Sequence, residues 1–264
     1  MRRNPTVLLV LLAGLCASLP GRDARAQGVV LPLPAPDAAV LAKKLGAGVV
    51  GAALPSTPLD DPSVYFPLAA TGRPYYVTNG DKAGQTVKLT VTRAVRPNGT
   101  SAWRFELSPT VAAFLRATPG GDLLTTAIVD AGAGLVVVTT PANPFLLKGM
   151  QPGESRDLAQ TVSVKYLDDP SDQKYAGSLT GTCTYLGTYQ VTVPGGTFPA
   201  VLIRHHYTGT IGPADTQDTA YYLLAAGVGV VAMISQEDIE AFWIVHIDTS
   251  TGKVLAAAPA AAAD

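Results

Sequence analysis

Cysteine is scarce, with two residues in a chain of 264 that also holds only three histidines. Cys16 lies in an apolar N-terminal stretch, so Cys183 alone belongs to an exported chain, and one thiol closes no intramolecular disulfide. Neither sign of charge dominates: 19 Lys and Arg stand against 20 Asp and Glu, without a basic cluster. That excludes the electrostatic footprint of a protein that grips nucleic acid or an anionic membrane. No apolar run reaches the roughly 20 residues of a bilayer-spanning helix. G-x-S-x-G and H-E-x-x-H are missing, and with them two common local signatures of hydrolases. Strands and helices do not alternate along the chain, which argues against a doubly wound fold.

What is present begins at the N-terminus. Arg2 and Arg3 precede an apolar run from Val7 to Leu15, and Ala24-Arg25-Ala26 forms a small-residue site. These are the three parts of a secretory signal peptide, residues 1–26, cleaved after Ala26. Losing 26 of 264 residues leaves 238, and losing four arginines and Asp23 leaves 15 basic against 19 acidic residues. "LAGLC" around Cys16 is a poor lipidation site, and "RRNPTV" lacks the apolar residue of a twin-arginine signal. The expectation is therefore a periplasmic or secreted protein rather than a lipoprotein. Such a domain depends on its apolar core, for which about 200 residues suffice.

Residues 27–63 read as a Pro/Ala/Gly-rich arm. "LPLPAP" (31–36) is extended, and 37–54 is a candidate helix capped by Asp37, weakened by Gly46, Gly48 and Gly51 at about 1 kcal/mol each. Residues 256–264 read as a disordered Ala-rich tail. Between them, 64–255 is expected to form a single β-rich domain with a period of two. Val87, Leu89, Val91 and Val95 fall on one face, with Lys88, Thr90 and Thr92 on the other, as in half-buried antiparallel strands. One short helix is predicted over 109–117 with Ser108 as cap. "AGAG" (131–134) and "PGG" (194–196) predict hairpin turns, and "TSTG" (249–252) predicts a turn into Lys253. The longest alternating run, 179–193, sets Leu179, Cys183, Tyr185, Tyr189, Val191 and Val193 against a threonine row, which predicts a buried, inert Cys183 thiol. The fold class is thus mainly β: a curved antiparallel sheet, or an open barrel or sandwich, of about ten strands with one or two short helices.

Three segments, in order, resemble an exported bacterial domain family of unknown function of the TapB-like kind. "YFPLAATGRPYYV" (65–77) is similar to its opening strand. "VTVPGGTFPAVLI" (191–203) is similar to its V-x-V-P-x-G-T-F-x-A motif, with Gly195 at the usual alanine. "YYLLAAGVGVV" (221–231) is similar to its closing G-V-G-x-V segment, with Tyr222 at the usual tryptophan. "LLKGMQPGES" (146–155) matches a loop of the family more loosely. The resemblance implies an envelope protein on a curved antiparallel sheet, and implies no reaction or catalytic residues.

Few residues compete as a site. His205 and His206 are adjacent on a strand, so they point to opposite faces and cannot chelate one metal together. His246 and Asp248 share a face, and a metal there needs a further ligand such as His205, Asp238 or Glu240. Asp168, Asp169 and Asp172 surround Pro170 in a turn without the ligand spacing of a calcium loop. Glu154, Ser155 and Asp157 read as a loop with no histidine nearby in sequence. "NGT" (98–100) fits a glycosylation sequon and equally a hairpin tip.

The reading that follows is an exported, non-catalytic β-sheet protein of the cell envelope, with no cofactor and no metal, no nucleic acid and no membrane span. Its partner is an envelope protein or a hydrophobic small molecule. The alternative is a carrier of a lipid or other hydrophobic ligand in a curved-sheet cavity, and the second alternative is a metal-dependent hydrolase. An open cavity on the order of 300 Å³ or more favours the carrier. A packed core with an exposed apolar patch favours a protein partner.

Overall fold

The computed structural model describes residues 28–96, 99–241 and 245–256, with the side chains of 241 and 245–247 outside it. The signal peptide, Asn98 of the sequon, the His246 side chain and the tail from 257 lie outside the described residues. The chain opens with β1 (Val29–Val30), α1 (Ala35–Leu45), β2 (Val50–Ser56) and the single-turn α2 (Pro62–Tyr65). A run of short strands follows: β3 (Thr71–Asn79), β4 (Thr86–Val95), β5 (Ser101–Glu106), β6 (Val111–Ala117), β7 (Leu123–Asp130), β8 (Leu135–Thr140) and β9 (Asn143–Leu146). Longer strands complete it: β10 (Ser155–Tyr166), β11 (Gln173–Val193), β12 (Gly196–Ile211), β13 (Ala214–Ala225), β14 (Gly229–Ala241) and β15 (Val245–Leu255).

Twelve of these strands close a ring in the order β3-β4-β5-β6-β7-β8-β10-β11-β12-β13-β14-β15, and β15 returns to β3. Every pairing is antiparallel. The sheet is therefore a closed barrel rather than an open one, with more than the ten strands expected. β1, β2 and β9 are the extras. β2 pairs with β11 outside the ring, and β9 pairs with the first half of β7. Closure satisfies the hydrogen-bonding edge that an open sheet would expose.

Register assigns the faces. Ile203, Tyr222, Met233, Lys253 and Val77 form one inward rung across five strands. Phe145 stacks edge-on to Tyr222 at 5.0 Å and to Phe66 at 4.9 Å, and Phe66 meets Phe105 at 5.2 Å. These rings join strands from different sides of the barrel, so their face is the interior. Leu59, Phe66, Phe145 and Met150 fill the end that carries the β11–β12 and β13–β14 turns. The outer face is polar along β4 and β5, where Glu106 holds Arg104 and the Thr90 hydroxyl. Charged groups at such positions would be destabilising against lipid.

Several expectations need correction. Residues 111–117 form strand β6, not a helix. Ala112, Ala113, Phe114 and Leu115 are all buried, on both faces, so pairing and packing override alanine's helical preference. Ser108 caps a turn instead, its Oγ accepting from Val111 N at 3.0 Å. The arm helix stops at Leu45, and 50–56 is strand β2; Asp37 lies in the first turn rather than at the cap. Val95 is 64% exposed at the end of β4, while Val87, Leu89 and Val91 face in. Residues 249–252 make no turn, because β15 runs through them to Leu255. Ser155 and Asp157 lie on β10, not in a loop.

The long alternating run changes sides. Tyr185 pairs with Ile203 and Gly187 with Leu202, which leaves Leu186 as an extra residue at a β-bulge. Gly187 takes φ +131°, a conformation that favours glycine. Cys183 and Tyr185 therefore face the interior, whereas Tyr189, Val191 and Val193 are buried on the outer face beside the arm. The threonine row is likewise not uniformly wet, since Thr184 is buried with its hydroxyl 2.7 Å from that of Ser155. α1 packs over the outside of β14, β15 and β3 and seats Leu41 and Leu45 there. Its Asp37 carboxylate accepts from Arg204 Nη1 at 2.9 Å and from the Tyr221 hydroxyl at 2.8 Å.

Candidate functional site

The other end of the barrel is hollow. It carries the β3–β4, β5–β6 and β12–β13 connections, and a cavity of about 840 Å³ opens between β3, β4, the 107–110 turn and β15. Val77, Val87, Leu89 and Leu107 supply its apolar wall, Lys88, Glu106, Asp248 and Ser250 from the outward faces of their strands also border it, and Thr249, Thr251 and Lys253 line it from β15. The last three are odd positions of one strand, so they share the inward face.

Each heads a rung that crosses the lumen. Thr249 pairs with Glu237, Glu237 with Asp218, and Asp218 with Tyr207. One step deeper, Thr251, Ser235, Ala220 and His205 form the next rung, and Lys253 begins the one that ends at Ile203. The wall opposite the cavity is thus a belt of polar groups rather than a continuous apolar lining.

Electrostatics follow from burial. Asp218 is pushed up to about 7 by burial first and by Glu237 second, against a hydrogen bond from the Thr219 backbone. Glu237 is raised by burial and by Asp130. His205 is pushed down to about 4 by burial, although a hydrogen bond with the Phe145 backbone opposes this. Tyr207, whose hydroxyl donates to Asn143 Oδ1, and Tyr222 are both raised, chiefly by burial. Lys253 is lowered by burial and by nearby Lys82, and its ammonium donates to the Leu107 carbonyl at 2.9 Å. Asp218 Oδ1, His205 Nε2 and Gln160 Oε1 are buried without a protein partner among the described residues. Buried polar atoms of this kind call for water or a ligand.

The two adjacent histidines do face opposite ways. His205 is 4% exposed on the inner face, and His206 on the outer face shares a hydrogen bond with the Thr219 hydroxyl at 2.9 Å. Register sets Glu240 across from His246 and Asp238 across from Asp248, well away from His205 along β12 and β13. Among the described residues no group of three His, Cys, Asp or Glu stands where it could hold a metal ion. Asp169 organises its turn by accepting from the Ser171 N–H and hydroxyl. Glu154 accepts from Arg156 and from Gln151 N. The Cys183 thiol is buried and pushed up to about 12 by that burial. Ser250 and Lys253 have the spacing of a serine–lysine pair, yet on a strand they point to opposite faces.

Asp218, Glu237 and Lys253 were not singled out from the sequence. Period two could have found them: Thr249, Thr251, Lys253 and Leu255 alternate in register with one another. The assumed turn at 249–252 hid that pattern.

No family model matches the sequence, and no curated protein matches it. Among solved structures, a "putative lipoprotein" from Parabacteroides distasonis ATCC 8503 aligns over 74% of this chain and 97% of its own, at 12% identity and a TM-score of 0.36. The hypothetical lipoprotein YmcC from Escherichia coli (K12) aligns over 76% of this chain and 91% of its own, at 11% identity and a TM-score of 0.35. These likenesses are too distant to transfer a ligand or an activity.

Proposed function

We propose that this chain is an exported, non-catalytic protein of the cell envelope whose barrel holds a small ligand in the cavity beside Lys253. The cavity carries the reading. Its volume of about 840 Å³ lies within the range of roughly 300–1,000 Å³ typical of small-molecule sites. It is bounded by a closed ring whose opposite end is packed, so it is a pocket rather than a channel. Exposed large apolar residues, by contrast, are scattered over β1, α2, β3, β4, β10 and β11, which supports a protein-binding face less well. The carrier reading therefore moves ahead of the partner reading. Among the described residues no helix is long and apolar enough to cross a membrane.

The reactive groups support the absence of catalysis. His205 stays neutral near pH 7, and the Cys183 thiol keeps its proton. Asp218 is an inward acid pushed up to about 7, and its Oδ1 has no hydrogen-bond partner among the described residues. Native mass spectrometry of the protein purified from its own envelope tests the proposal. A reproducible added mass of a few hundred daltons is expected, released by denaturation. A bare polypeptide mass, together with no binding of an apolar fluorophore that brightens in such cavities, would overturn it.

A further inference from the structure

The cavity contains a cation that has no counter-ion among the described residues. Lys253 is only 9% exposed, yet its one hydrogen bond goes to a neutral carbonyl, that of Leu107. An ammonium offers three donors, so two remain for whatever occupies the space. The ion pairs among the described residues are Arg104–Glu106, Arg156–Glu154 and Arg204–Asp37, and none involves Lys253. The charge that perturbs it is another cation, Lys82, which lines the same cavity together with Lys88. A buried charge without an opposite partner is strongly unfavourable. A ligand that brings the missing anion relieves that cost.

Three carboxylates also belong to this end of the cavity. Asp81 and Asp248 are exposed, and Glu106 is engaged by Arg104 and Thr90. Glu237, across from Thr249, is the inward acid closest in register, and its ionisation is suppressed by burial and by Asp130. They leave Lys253 unpaired while limiting how much negative charge the pocket accepts. A monoanion suits this balance better than a dianion. The hydroxyl-bearing Thr251 and Thr249 stand one and two rungs from Lys253, and Val77, Val87 and Leu89 form the wall beside it.

Resting on the ligand-holding reading above, we infer that the ligand is an amphiphile with a carboxylate head seated on Lys253 and an aliphatic body along Val77, Val87 and Leu89. The carboxylate accepts the two free ammonium donors, and the apolar body displaces water from the wall. A neutral alcohol of equal length can fill the wall and still lacks the ion pair. A phosphate monoester supplies the ion pair and brings a second negative charge toward Asp81 and Asp248, which line the cavity.

Isothermal titration of the purified protein with dodecanoate, dodecanol and dodecyl phosphate tests this. Dodecanoate should bind about tenfold or more tightly than either other probe, the scale of one partly buried charge pair. Lys253→Met, which keeps the volume and the strand, should abolish that preference, so that dodecanoate binds no more tightly than dodecanol. Lys253→Arg should retain most of it. Equal affinity for dodecanoate and dodecanol, or a dodecanoate affinity that survives Lys253→Met, would overturn the role of Lys253 and leave the pocket standing. Tighter binding of dodecyl phosphate would overturn the monoanion. Binding of none of the three would overturn this inference, and the cavity reading beneath it would fall only if the apolar fluorophore also failed to bind.

Discussion

Replacing Asp218 by Asn should make the protein more stable, and only above mildly acidic pH. The carboxyl is raised from 3.8 to about 7 by burial and by Glu237. Below its ordinary value it is protonated in folded and unfolded chains alike and does not affect stability. As pH rises from 3.8 to about 7, the unfolded chain ionises while the folded chain keeps its proton, so stability falls across that window and the penalty is complete above it. A shift of that size in a sealed site corresponds to about 4 kcal/mol. Asp218 is only partly buried as a residue, although its Oδ1 is sealed, so solvent screening reduces the expected effect to about 2 kcal/mol. The assay is urea unfolding of both proteins at intervals from about pH 4.5 to pH 8. Acids held low in the folded state, such as Glu106 and Glu154, act in the opposite direction and cancel in the comparison. The gap between variant and parent should open with pH and level off near 8. A gap that is flat with pH, or an Asn variant that is the less stable at pH 8, would refute the assignment of Asp218 as a destabilising lumen acid.

Two further substitutions probe the frame that holds the cavity. Asp37→Ala leaves Arg204 and the Tyr221 hydroxyl unpaired beneath α1, and should cost about 2–3 kcal/mol in urea unfolding and expose the arm to limited proteolysis at lower protease concentration. Gly181→Ala drives a methyl into the His206 carbonyl oxygen across the β11–β12 pair and should cost about 2–3 kcal/mol, whereas Gly120→Ala, whose methyl meets nothing nearer than Thr118 Oγ1 at 3.6 Å, should shift the midpoint little.

The strands themselves were legible, because half-buried runs such as 86–95 and 173–193 keep the period of two that a pleated backbone imposes. For the same reason the opposed histidines were legible from adjacency alone. Face identity was not. One extra residue at Leu186 moves Tyr189 from the lumen to the outer surface without disturbing the run of odd positions. β6 was misread because burial on both faces erases the alternation and leaves only alanine-rich composition to judge by. Asp218 and Glu237 were overlooked because an inward polar residue in a hollow barrel looks the same in sequence as an outward one on a wet sheet.

That ambiguity follows from the size of the ring. About eight strands give an interior that side chains can just fill, and the twelve here enclose more. At one end the chain supplies the difference from outside the ring, with Leu59 from the arm, Phe66 after α2, Phe145 from β9 and Met150 from the loop beyond it. At the other end no comparable segment enters among the described residues, and the β12–β15 rungs change from Ile203 and Met233 to Tyr207, Asp218 and Glu237. Water or a ligand must meet those groups, because apolar filling would strand them. The outer face of the same strands shows the converse. Its apolar positions near Ile234 and Val254 would be wet on a bare barrel, and α1 covers them with Leu41 and Leu45. Apolar residues on both faces of one strand therefore marked a covering layer, and polar residues on both faces marked a lumen left open.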